Sequence, residues 1–106
     1  MKIKVRIDRM LNMDDSKIRA IASANIGDAF AIHGIKVIDS DKGPFVQMPQ
    51  TSYVKNGKTK YSELFHPITA DSRNELYNEI LNAYEQKLQE NAQEDESEVQ
   101  EVGQVM

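Results

Sequence analysis

The sequence predicts an α+β domain: an antiparallel β-sheet with a projecting β-hairpin arm and one C-terminal amphipathic helix packed on the sheet. Two patterns carry this prediction. Before residue 62, apolar residues alternate with polar ones in several short runs, the period of strands with one wet face. After residue 71 they recur every four residues in a single stretch, the period of one amphipathic helix. Strands followed by one helix give a sheet covered on one face, not a parallel βαβ arrangement.

Ile3, Val5 and Ile7 alternate with Lys2, Lys4, Arg6 and Asp8, which gives a first strand. Residues 12–16 are turn-rich and the alternation resumes over 17–24, so the two segments form an antiparallel hairpin. Gly27 and Asp28 supply the next turn. Residues 29–38 are apolar on both faces and belong at the centre of the sheet, covered by the helix on one side and by a second layer or subunit on the other. A turn at 39–43 leads to a short strand opening at Pro44, suited to an edge, and stopped by Pro49. Asn56-Gly57 is a type I′ turn signal. With Tyr53 and Val54 before it and Tyr61 after it, it predicts an arm standing off the domain.

Ser72 with Glu75 three residues later makes a capping box, with Asp71 as a competing N-cap. Leu76, Ile80, Tyr84 and Leu88 then form a stripe that Tyr77 and Leu81 widen. The small row Ala20, Ala22 and Ala24 lets such a helix approach the sheet closely. Beyond Asn91 no period is sustained. Residues 1–91 therefore read as a single sheet-plus-helix domain and residues 92–106 as an acidic disordered tail.

A chain of 106 residues holds one domain and not two. The absence of cysteine excludes disulfides, thiolate metal sites and thiol nucleophiles. No apolar run reaches the roughly 18 residues of a membrane helix, and the N-terminal segment reads as a strand, not a signal peptide. A soluble cytoplasmic protein with no membrane partner is expected. Neither GxGxxG nor GKS/T occurs, which argues against a Rossmann or P-loop nucleotide fold. His33 and His66 are the only histidines. His33 reads as a hydrogen-bonded structural residue, and His66 is confined by Pro67 to an extended backbone. A metal would need a third ligand, and no Ser-His-Asp arrangement follows from spacing. No enzyme, cofactor or metal is expected.

The net charge of -4 hides a basic front half. Residues 1–61 carry eleven Lys and Arg against six Asp, while residues 89–106 carry six acidic side chains and no basic one. This asymmetry points to an anionic partner for the front half. Lys2, Lys4 and Arg6 share one face of the first strand, and Lys17 and Arg19 would join them from the second. That patch suits phosphate spacing, or serves only to block sheet extension at an edge. The arm offers Lys55, Lys58 and Lys60 beside Tyr53 and Tyr61, which suits backbone charge and base stacking, or ordinary solubility. Arg73 opposes the helix dipole in the first turn, a placement that an anionic partner would relieve.

Four ordered motifs resemble the stage V sporulation protein G family, also called the septation regulator family. They are Arg19-Ala20-Ile21-Ala22-Ser23, residues 30–38 (FAIHGIKVI), residues 43–49 (GPFVQMP) and His66-Pro67-Ile68. The resemblance spans about residues 1–88. It implies a homodimeric regulator, joined edge to edge through its sheets, that binds DNA and in some bacteria RNA and affects cell division or sporulation. It also aligns Arg73 with an arginine at the family's helix start. The helix, however, offers only Arg73 and Lys87 against Glu75, Glu79, Glu85 and Glu90. An adaptor that contacts proteins in cell division, without touching nucleic acid, is the alternative expectation.

Overall fold

The computed structural model describes residues 1–11 and 16–105, the stretch 92–105 by its backbone alone. Four strands form the main sheet: β1 (Ile3–Met10), β2 (Ile18–Ile26), β3 (Phe30–Ile38) and β4 (Phe45–Gln47). They lie antiparallel in the order β1-β2-β3-β4, so β1 and β4 are its outer strands. A separate two-stranded ribbon, β5 (Gln50–Lys55) and β6 (Lys58–Glu63), forms the arm. One helix, α1 (Ala70–Val105), follows. The α+β architecture is the one the periodicities predict. The helical backbone continues past Asn91, where the apolar period stops. The expected acidic tail falls on residues 92–106, whose side chains lie outside the described residues, as do residues 12–15 of the expected first turn.

The core lies between one face of the sheet and the first half of α1. Ala20, Ala22 and Ala24 of β2 are buried with Ile32, Ile35 and Val37 of β3, Val46, Met48, and Leu76, Ile80 and Tyr84 of α1. Ile3, Val5, Ile7 and Met10 of β1 pack against this cluster. The alanine row admits the helix because short side chains lower the sheet surface beneath it. Among the described residues no layer covers the opposite face of the sheet, so these do not supply the second layer expected over β3. Phe30, opposite Ile26 and Ile3 on the helix side of the sheet, is nevertheless 73% exposed, at the mouth of a hollow beside the helix start.

Three bulges shift the phase of the strands. Ile7 and Arg9 face Ala22 and Ile21, which leaves Asp8 as an extra residue in β1. In β2, Ile18 faces Ile38 and Ala20 faces Val37, so Arg19 is extra. In β3, Ala22 faces Ile35 and Ala24 faces Ile32, so His33 and Gly34 together oppose Ser23. Gly34 has φ +77°, a left-handed conformation that bulges reserve for glycine.

Asn56 and Gly57, at φ 54° and 74°, make the type I′ turn of the arm as predicted. The helix start differs from the expectation. The Thr69 hydroxyl accepts the backbone N–H of Ser72 at 3.1 Å, and the Thr69 carbonyl accepts that of Arg73 at 3.0 Å. Thr69 is thus the N-cap, and Ser72 sits three residues inside, its hydroxyl 2.7 Å from that of Thr69. Asp71 remains in the first turn, where a negative charge is favourable.

Candidate functional site

Side chains alternate along β1, so Ile3, Val5 and Ile7 face the helix and Lys2, Lys4 and Arg6 face the uncovered side of the sheet. The structure brings these three cations together and gives each a carboxylate of the same chain. The β1–β2 register sets Ile3 opposite Ile26, which carries the following turn alongside Lys2. Asp28 in that turn has φ 55° and meets Lys2 Nζ at 3.1 Å and Lys4 Nζ at 3.4 Å. Lys2 first, then Lys4, holds the Asp28 carboxyl below the usual range. Arg6 Nε donates to Asp8 Oδ1 at 2.7 Å.

Lys17 and Arg19 do not join that group. Arg6 faces Ser23, and Arg19 lies four residues further along β2, about 13 Å away at strand spacing. Arg19 Nε stands 3.6 Å from Asp39 Oδ2, and the charges of both residues act on the Tyr84 hydroxyl of α1. Lys17, exposed just before β2, accepts the Asp39 N–H on its backbone carbonyl at 2.8 Å. The five cations therefore occupy two ends of the sheet. Arg73 lies in the first turns of α1, where its charge acts on the Tyr77 hydroxyl. Burial pushes the Tyr77 hydroxyl up, Glu63 adds to the shift, and Arg73 opposes it.

The bulges at Asp8 and at His33–Gly34 assemble a cluster that the spacing of the sequence does not reveal. The Ser23 hydroxyl donates to Asp8 Oδ2, and His33 Nδ1 lies 2.8 Å from the same hydroxyl oxygen. Ser23 has one proton and gives it to Asp8, so His33 must donate from Nδ1. A nucleophilic serine needs the reverse order, with the imidazole taking the hydroxyl proton. The cluster is therefore structural: Arg6, Asp8, Ser23 and His33 tie three strands together on the uncovered face. Its signals in the sequence are a serine inside the alanine row and a glycine, Gly34, inside a strand. Among the described residues no three His, Cys, Asp or Glu side chains are placed to share a metal ion, and no helix is long and apolar enough to cross a membrane.

The Ser23 hydrogen bond is the largest cause of a lowered Asp8 carboxyl, with Arg6 adding to it and partial desolvation opposing. A carboxyl depressed in the folded state contributes stability above its unfolded pKa, near 4. That contribution is lost as pH falls through the folded value. Urea midpoints of the parent and Asp8→Asn should therefore converge as pH drops below about 4 and separate above it. A constant gap across that range would remove Asp8 from the acid limb of stability.

The arm is exposed along its whole length. Opposed residues share a face, and the register pairs Tyr53 with Lys60 and Lys55 with Lys58. All three lysines and Tyr53 therefore lie on one face. Ser52 pairs with Tyr61 and Val54 with Thr59 on the other. Among the described residues no carboxylate pairs with Lys55, Lys58 or Lys60.

A hollow of about 260 Å³ opens where the β2–β3 turn meets the segment leading into α1. Met1, Phe30, Phe65, Pro67 and Ile68 line it above Leu76, and Ile68 is 86% exposed. The sequence does not reveal this surface, because the run 29–38, apolar on both faces, reads as covered on both sides.

A family model described as SpoVG matches residues 1–86. A protein named "Putative septation protein SpoVG" from Desulforudis audaxviator is 39% identical over 83 residues, covering 78% of this chain and 89% of that protein. A protein of the same name from Clostridium botulinum is 37% identical over 82 residues, covering 77% and 86%. Another from Lachnospira eligens is 39% identical over 71 residues, covering 67% and 77%.

Proposed function

We propose, for a chain that belongs to the SpoVG family, that it works in septation as a non-catalytic protein–protein adaptor. The septation role rests on the names its relatives carry. The observation that carries the adaptor reading is the exposed apolar rim of Phe30, Phe65 and Ile68 around the hollow beside the helix start. Contiguous apolar surface of this kind is covered by protein in stable assemblies. The pairing of Lys2, Lys4, Arg6 and Arg19 with Asp28, Asp8 and Asp39 supports the same reading. Cations already held by their own carboxylates gain less from a phosphate backbone. A cytoplasmic homodimer, joined through an outer strand of the sheet, is part of the proposal.

A second reading has one observation in its favour. Lys55, Lys58 and Lys60 beside Tyr53 have no carboxylate partner among the described residues, which suits a homodimeric regulator of transcription or message use that docks on DNA or RNA. Titration of a labelled duplex and a labelled single strand at 50 and 200 mM salt separates the two. The adaptor reading expects affinity no tighter than non-specific, roughly 10⁻⁴–10⁻⁶ M at physiological salt, and a photo-crosslinker at Phe30 that traps one division protein in dividing cells. Nanomolar nucleic-acid binding that charge reversal at Lys55, Lys58 and Lys60, or at Lys4, Arg6 and Arg19, abolishes would overturn it.

A further inference from the structure

We infer that the arm is a strand-addition site for an extended acidic segment of a partner protein, received along the ribbon with its lysine face towards the partner's carboxylates. The inference rests on the adaptor reading and names the chemistry of one partner. Three features of the arm carry it.

Among the described residues no layer lies beneath the ribbon. β5 and β6 pair only with each other, and every residue from Gln50 to Lys55 and from Lys58 to Glu63 is exposed. A two-stranded hairpin standing alone is marginal in water, and a third strand is what stabilises it. Each strand also keeps one edge of backbone N–H and C=O groups without a ladder partner, the template on which an added strand forms.

The charge on that template is one-sided. Lys55 and Lys58 stand directly opposite each other, with Lys60 one pair further along on the same face. Like charges placed this way are destabilising, and among the described residues no carboxylate relieves them. Glu63 at the base of the ribbon pairs with Gln50 on the opposite face. Edge lysines repel basic strands and lose hydration against neutral ones, so the same residues that prevent indiscriminate sheet extension admit an acidic one.

The other face distinguishes protein from nucleic acid. Val54 is 74% exposed and Tyr61 68%, and the pairing puts them together with Thr59 away from the lysines. A phosphate backbone has nothing to offer an aliphatic side chain. An added strand with alternating residues places carboxylates on the lysine face and apolar side chains beside Val54 and Tyr61.

The full chain is titrated with a fluorescent peptide of alternating Glu and Val. Three other probes accompany it: the same peptide N-methylated at alternate residues, an alternating Lys-Val peptide, and a 20-nucleotide single strand. The expected result is saturable binding of the Glu-Val peptide that falls at least tenfold in Lys55→Glu/Lys58→Glu/Lys60→Glu. The N-methylated and Lys-Val peptides should not bind. Reversal at Lys2 and Lys4, already paired with Asp28, should leave the affinity unchanged. Because Lys55, Lys58 and Lys60 are exposed, circular dichroism of the triple variant should report an unaltered body. Equal binding of the N-methylated peptide would overturn strand addition, and tighter binding of the single strand at the same salt would overturn the choice of partner. If no peptide binds while the Phe30 crosslink in cells persists, the arm inference fails and the adaptor reading stands. Loss of both removes both.

Discussion

Ile80→Ala is expected to destabilise the protein by about 2–5 kcal/mol. Ile80 is fully buried at the centre of the stripe by which α1 meets the sheet. Truncation removes three carbons from that contact, and neighbours fixed in β2 and β3 can close only part of the space. A total stability of 5–15 kcal/mol is usual for a domain, so one side chain governs a large share of the fold. Urea denaturation should show the midpoint falling with little change in slope, and Ile80→Val should cost only about 0.5–1.5 kcal/mol. A loss below 1 kcal/mol for the alanine variant would mean that the helix is held chiefly by something other than this stripe.

Ala22→Leu is expected to cost about 1–3 kcal/mol or more, by overpacking. Ala22 is fully buried, faces Ile7 on one neighbouring strand and Ile35 on the other, and lies in the row under the helix. The added carbons must lift α1 or displace Ile35, and both are fixed by further contacts. Exposed Ile68→Leu serves as the neutral control. Thermal unfolding followed by circular dichroism should place the Ala22→Leu transition well below that of the control, at roughly 4–8 °C per kcal/mol for a domain of this size. An unchanged midpoint would show that the alanine row does not set the distance between helix and sheet.

The parts of the fold legible in the sequence are those written in short-range periods. Ile3, Val5 and Ile7 announce their strand by alternation, Asn56-Gly57 announces its turn by chemistry, and Leu76, Ile80 and Tyr84 announce the buried side of the helix by spacing. The alanine row and the helix that covers it follow from size alone. What depends on register was not legible. Asp28 lies more than twenty residues from Lys2 and Lys4, and only the pairing of Ile3 with Ile26 brings them together. The bulge at Arg19 leaves no local mark, so that residue was assigned to the wrong neighbours. Gly34 inside a strand was a signal for the bulge that presents His33 to Ser23. At the helix start, Thr69, Asp71 and Ser72 are all competent caps, and the path of the chain out of Pro67 and Ile68 selects the first.

Among the described residues the arm packs on the body only at its base, where Glu63 acts on Tyr77, and this has a consequence for how the protein can diversify. Substitutions in a segment that shares no partners with the core combine with core substitutions nearly additively. The ribbon can therefore change length, charge or aromatic content while the sheet and helix keep their stability. Selection on what the protein recognises and selection on whether it folds then act on separate stretches of one short chain.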